Sequence, residues 1–338
     1  MISNPLLNTP KPQNNKPYKT NFPIIVWVPI SKEDFKNRDI VSAKDFSRED
    51  LEFIFDVSQD VKENPKKFRN ILNDKIVAMT FFEPSTRTYQ SFQTAAKILG
   101  CNVISFSEPN SSSYGGKGES FHDTIKILEN YSDCIVIRHP SSGSAKYAAE
   151  ISNKPVINAG SGFQEHPTQT MLDLFTIRSE LGKIDNLSIG ILGDLRYGRG
   201  TTSLCYALTN YNAEINLIAP EALQIRPEIE TYLGAKGANF NKFSNLKEII
   251  SELDVLYVTR IQKERFVDPN DYMKVKGSFK VTMDSLKDAK DSLIVLHILP
   301  RIDEISTDID STKFARYFEQ AKNGLFVRTA LLSLILAD

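Results

Sequence analysis

Residues 75–100 read KIVAMTFFEPSTRTYQSFQTAAKILG and contain one complete step from strand to helix. The run from Lys75 to Glu83 is rich in β-branched and aromatic side chains and stops at Pro84, as a buried strand does. From Ser85 the residues favour helix up to Gly100, a type suited to the left-handed turn that closes a helix. The same alternation continues outward. SREDLEFIFDVSQ (47–59) precedes it with a capping serine, first-turn acids and apolar residues at helical spacing. After it come a strand at Asn102–Phe106, a Gly/Ser loop, a helix at Glu119–Tyr131, a strand at Cys134–Arg138, a helix around Ala145–Ser152 and a strand at Pro155–Asn158. A long helix from Thr168 to Leu181 then leads to a second series of strands, at 187–193, 214–219, 254–260 and 293–299. Strands alternating with helices build parallel sheets covered by helices. The expected architecture is therefore α/β, with two consecutive parallel-sheet domains and a site in the cleft between them. The closing run LFVRTALLSLILA (325–337) is apolar nearly all round and should be buried.

Composition narrows the function. The chain has 338 residues, 41% hydrophobic and 25% charged, which excludes a disordered or fibrous protein. With 41 basic against 42 acidic residues there is no global field for nucleic acid or an anionic membrane, so anions must be met by locally gathered Lys and Arg. Cys101, Cys134 and Cys205 show no CxxC pairing, which fits a reducing compartment, the cytoplasm, without disulfides. Pro23–Ile30 is too short and too rich in proline for a membrane span. Residues 1–36 read as a flexible leader, or the remnant of a trimmed targeting segment that would direct the protein to an organelle.

In open parallel sheets, ligands lie beyond the carboxyl ends of the strands, and here those ends are polar. They lead into Glu83-Pro84-Ser85-Thr86-Arg87-Thr88, into Arg138, into Glu165-His166-Pro167-Thr168-Gln169, into Gly193-Asp194 with Arg199 close behind, and into Arg260 with Gln262. Any one of these arginines could be a solvated loop residue; their recurrence at equivalent positions argues for a shared anion site. Ser85–Thr88 would add hydroxyls and a guanidinium to the positive first turn of a helix, a phosphate-binding arrangement. The competing reading is an ordinary N-cap followed by surface threonines. His166, held extended before Pro167, could sit neutral at a helix start and donate to a developing oxyanion, although a lone histidine is more often structural. Lys117, in the glycine-rich loop 111–120, is either a solvated charge or part of a lid. Walker, GxGxxG, GxSxG and zinc-ligand patterns are absent, so no metal and no cofactor are expected. What remains is a site for polyanions that stabilises an oxyanion, suited to transfer from a reactive phosphate compound to an acidic acceptor.

Six blocks add a family likeness. FFEPSTRTYQSF (81–92), IRHP (137–140), HPTQTMLDLFTI (166–177), GDLRYGRGTTSL (193–204), YVTRIQKERF (257–266) and LPRIDEI (299–305) strongly resemble the signature blocks of the aspartate carbamoyltransferase family, in family order. STRT and HPTQ are shared with ornithine carbamoyltransferases; the TRIQKER and LPRIDEI blocks are similar to the aspartate enzymes. The resemblance implies transfer of the carbamoyl group of carbamoyl phosphate to L-aspartate. It implies a carbamoyl-phosphate domain over 37–167 with 323–338, and an aspartate domain over 168–322. Ser85, Thr86, Arg87 and Thr88 would hold the phosphate; Thr88, Arg138 and His166 would polarise the carbonyl, and Gln169 would bind the carbamoyl amine. Arg199, Arg260 and Gln262 would take the aspartate carboxylates, with the Leu299-Pro300 backbone facing the amine through a cis bond. Glu83 with Arg199 and Arg265 would bridge the domains on closure. Ser113 and Lys117 would enter the neighbouring subunit's site, making a homotrimer the active unit; regulatory chains are left open. Tyr89 and Ile298 depart from the arginine and proline of bacterial members. Ornithine carbamoyltransferase, a nicotinamide dehydrogenase and a non-catalytic anion-binding protein are the competing functions.

Overall fold

The structure is a computed structural model and describes residues 30–106 and 113–337. Its first lobe holds β1 (Ile76–Phe81), β2 (Asn102–Phe106), β3 (Cys134–His139) and β4 (Val156–Ser161) in a parallel sheet of order β2-β1-β3-β4. Its second lobe holds β5 (Ser188–Leu192), β6 (Glu214–Ile218), β7 (Asn239–Phe243), β8 (Val255–Val258) and β9 (Ile294–His297) in a parallel sheet of order β7-β6-β5-β8-β9. Two parallel-sheet α/β units in succession are thus the fold. The reading of the sequence passed over β7, whose residues NFNKF are polar and partly exposed; an edge strand gains its ladder from one neighbour and needs no apolar face to identify it.

Two helices join the lobes. α6 (Pro167–Leu181) and α10 (Tyr317–Leu336) pack on each other, and α10 also packs on α1 (Arg48–Glu63) and α2 (Thr86–Leu99). Most of α6 and the second half of α10 are buried on nearly every side, polar threonines of α6 included, because protein encloses them; the end of α6 and the start of α10 reach the surface. One continuous core therefore runs from Val77 and Phe92 through Leu172 and Leu332 to Ile189 and Leu217.

The expected leader needs correction at its end. Lys32–Phe35 forms a 3₁₀ turn, Phe35 is fully buried and its ring stacks on Phe53 with centroids 5.5 Å apart. Asn37 N–H donates to the Ile335 carbonyl at 3.0 Å, and Ile40 pairs with Ile157 beside β4. The Asn-, Pro- and Lys-rich composition of the segment concealed one aromatic that a core could accept. Residues 1–29 of the expected leader lie outside the described residues. Phe35→Ala should lower unfolding stability by about 3–5 kcal/mol in a denaturant titration; a loss below about 1 kcal/mol would show that this turn is not part of the core.

Candidate active site

The strand ends and the helices that follow them enclose a cavity of about 880 Å³ between the lobes. Six arginines line it, Arg87, Arg138, Arg199, Arg260, Arg265 and Arg328, against two carboxylates, Glu83 and Glu264, so its interior favours anions. Glu83, just past β1, is the centre of this charge. Its Oε1 receives Arg199 Nη2 at 2.6 Å and lies 2.9 Å from Arg138 Nε, although that N–H is not aimed at the oxygen. Burial pushes the Glu83 carboxyl up, but Arg199, Arg138 and Arg265 outweigh it and hold the group below the ordinary glutamate value. The Glu83–Arg199 pair joins the first sheet to α7 (Arg199–Leu208) of the second lobe.

The phosphate-binding expectation falls on the first turn of α2. Ser85 occupies the N-cap, but its hydroxyl makes no cap hydrogen bond, so it leaves the orphan N–H groups of that turn unclaimed. Thr86 and Arg87 are exposed to the cavity, while Thr88 is buried with its Oγ1 3.4 Å from His166 Nε2. Arg138, near the end of β3, donates from Nη1 to the Ala159 carbonyl at 3.2 Å. Burial and the neighbouring Arg199 charge push its guanidinium down, to about 9. A cation desolvated in this way gains from an incoming anion.

His166 sits at the N-cap of α6, ahead of Pro167 in the first helical position. Its backbone N–H donates to Ser203 Oγ at 2.9 Å. Glu165 beside it accepts from Ser42 Oγ at 2.5 Å and Ala43 N–H at 2.7 Å, which ties the loop to the chain before α1. Burial, then Arg138, Arg199 and Arg328, keep the imidazole well below its ordinary value of 6.5, hence neutral. Its Nδ1 has no partner among the described residues.

Across the cleft, Arg199 is made possible by Gly160, whose φ is +118° and where a Cβ would stand 2.9 Å from the guanidinium carbon. Arg199 Nη1 also donates to the Gly162 carbonyl at 3.1 Å. Asp194 Oδ2 receives the Gln262 N–H at 2.9 Å and its Oδ1 the Tyr197 N–H at 2.8 Å, so one carboxylate sets both loops. Arg260 forms a bidentate pair with Glu264. The Leu299-Pro300 peptide is cis and lines the cavity, with Leu299 N–H donated to His297 Nδ1 at 2.8 Å. The cavity thus gathers Glu83, Ser85 to Thr88, Arg138, His166, Gln169, Arg199, Arg260, Gln262, Arg265, Leu299 and Pro300. Lys117 is exposed and does not line it, and the side chain of Ser113 lies outside the described residues, as do residues 107–112.

Arg328, Glu264 and Asp173 were missed from the sequence. Arg328 is nearly fully buried, donates to Ser91 Oγ at 2.6 Å, and leaves Nε and Nη2 without partners among the described residues. The available signal was one cation within the apolar run 325–337, which a helix buries only beside a partner or a site. The three cysteines are free and buried away from the cavity, and burial pushes each thiol up, so none supplies a thiolate.

Residues 38–179 match the family model described as aspartate/ornithine carbamoyltransferase, carbamoyl-P binding domain, and residues 185–335 match its Asp/Orn binding domain. The aspartate carbamoyltransferase catalytic subunit of Nitrosopumilus maritimus is 52% identical over 306 residues, covering 90% of this chain and 98% of the relative. That of Thermococcus kodakarensis is 52% identical over 305 residues, with coverage of 90% and 98%. Aspartate transcarbamoylase of Trypanosoma cruzi in complex with N-(phosphonacetyl)-L-aspartic acid superposes with a TM-score of 0.84 at 37% identity, covering 90% of this chain and 97% of that one. The catalytic subunit of M. jannaschii aspartate transcarbamoylase gives 0.79 at 45% identity, with coverage of 88% and 97%.

The His166 ring is expected to resist protonation through the range in which free histidine titrates. Its ¹⁵N NMR shifts should stay those of a neutral imidazole from about pH 8 to about pH 5.5. Since the unfolded ring accepts a proton that the folded ring refuses, this group withdraws stability as pH falls below 6.5. An imidazolium signal from His166 at about pH 6 in the folded protein would contradict the assignment.

Proposed function

The chain belongs to the aspartate/ornithine carbamoyltransferase family, and from that premise we propose the following account of its reaction and of the residues that carry it. It transfers the carbamoyl group of carbamoyl phosphate to the α-amine of L-aspartate, giving N-carbamoyl-L-aspartate and phosphate, a step of pyrimidine biosynthesis. The observation that carries the account is the convergence, in one cavity, of the uncapped start of α2 with Arg138 and a neutral His166 on one side and Arg199, Arg260 and Gln262 on the other.

Carbamoyl phosphate binds first, its phosphate on Ser85, Thr86, Arg87 and Thr88 and the first-turn N–H groups of α2. Arg138 spans phosphate and carbonyl oxygen. Thr88, Arg138 and His166 supply donors to that oxygen as it gains charge, and a neutral imidazole does so without releasing a full proton. Aspartate follows. Arg199 and Arg260 meet its two carboxylates, Gln262 fixes its orientation, and the Leu299-Pro300 backbone faces its amine. The uncharged amine attacks the carbonyl carbon, the bond from that carbon to the phosphate oxygen breaks, and the amine proton leaves with phosphate. Placement and electrostatics supply the rate because the leaving group is already good. Guanidinium groups on the acceptor side favour aspartate over ornithine, whose side chain would bring a second cation.

The active unit is a homotrimer in which Ser113 and Lys117 complete a neighbour's cavity. The exposure of Lys117, away from the cavity of its own chain, supports this arrangement. The unpaired cysteines support a cytoplasmic setting.

Incubation with carbamoyl phosphate and either aspartate or ornithine should give carbamoyl aspartate alone, read by mass spectrometry; carbamoyl ornithine as the main product would overturn the assignment. His166→Ala should lower kcat by about 10²-fold with little change in phosphate affinity, whereas Arg87→Ala should damage both. Mixing inactive Lys117→Ala chains with inactive Arg87→Ala chains should restore part of the activity in hybrid trimers, and no recovery would refute the shared site.

A further inference from the structure

We propose that Asp173 is a positioning residue that makes this cavity select an acyl phosphate bearing an amine, by dictating which end of the Gln169 side-chain amide faces the substrate; the inference rests on the carbamoyl-transfer reading above. Asp173 is fully buried in α6, one helical turn after Gln169. Its Oδ1 receives Gln169 Nε2 at 2.8 Å and Gln320 Nε2 at 2.6 Å, and its Oδ2 receives the Tyr257 hydroxyl at 2.9 Å. Burial pushes the Asp173 carboxyl up, to about 7, yet a proton on it would sit on Oδ2 and turn to the Tyr257 oxygen, so Oδ1, which Gln320 also claims, has only lone pairs to offer in either form. Gln320 cannot turn over to relieve Gln169, because its own Oε1 already accepts the His297 N–H at 2.8 Å.

Three donors converging on one acceptor therefore hold the Gln169 amide with nitrogen inward and oxygen outward. Gln169 lines the cavity, and its Oε1 meets no donor among the described residues. The atom left facing the substrate is an acceptor. A carbamoyl NH₂ can donate to it. The methyl of an acetyl group cannot, and the oxygens of a carboxyl group would repel it. A site that expects a donor and finds none loses the hydrogen bond and leaves its own polar atom desolvated. Replacing Asp173 by leucine, which is close in size and cannot accept, removes the shared acceptor and frees the Gln169 amide to rotate and present nitrogen instead.

The test is direct titration of carbamoyl phosphate, acetyl phosphate and inorganic phosphate against the full-length protein and its Asp173→Leu variant. The preference for carbamoyl phosphate over acetyl phosphate should shrink about 10- to 100-fold, while the Kd for inorganic phosphate stays within about threefold. An unchanged preference overturns the proposal, whatever happens to turnover. Should Asp173→Leu fail to fold, Gln169→Met must shrink the same ratio, and an unchanged ratio there is equally fatal. Because the readout is binding, it decides this point independently of product formation, whose absence in the unmodified enzyme would sink the transfer reading instead.

Discussion

A cavity lined by six guanidinium groups is held open against its own charge, and Glu83 is the group that makes this tolerable. Arginines gathered in a partly desolvated space repel one another and lose hydration, and the structure offsets this chiefly with Glu83, which touches Arg199 and Arg138 and is felt by Arg265, while Glu264 pairs with Arg260 at the rim. The compensation is partial by construction. Arg138 stays perturbed downward and Arg328 keeps two unpartnered nitrogens among the described residues, so an anion entering the cavity lowers the energy of these groups.

The same field governs the imidazole. His166 is neutral because it is buried and because every charge that acts on it, Arg138, Arg199 and Arg328, is positive. A site evolved to bind polyanions thus keeps its histidine in the form that donates to an oxyanion without titrating. Substrate affinity and catalytic protonation state have one physical cause.

Precision in such a site depends on its supports. The stretches of α6 and α10 that carry His166, Gln169 and Arg328 are enclosed between the lobes, so these residues ride on helix segments packed by protein on most sides. Beneath them, Asp173, Gln320 and His297 link Gln169 to the Leu299-Pro300 turn through hydrogen bonds of 2.6–2.8 Å. Asp194 plays a similar part for the loops bearing Tyr197 and Gln262. Carboxyl oxygens that each take donors from the layer above give that layer a fixed polarity.

Much of this was legible in the residues themselves. Apolar periodicity revealed strands and helices, and the residues at strand ends revealed a polar site, because both are local properties of neighbouring side chains. Arg87, Arg138, Arg199 and Arg260 could be recognised by where each strand stops. The edge strand β7, the burial of Phe35 and the parts played by Arg328, Asp173 and Glu264 could not, since each depends on a partner distant in the chain or on a ladder with one neighbour. By itself the sequence determined which elements form and which functional groups are available. Only the tertiary structure decided which groups face one another and in what protonation state, because Coulomb and desolvation energies depend on separations and burial in space that chain order does not specify.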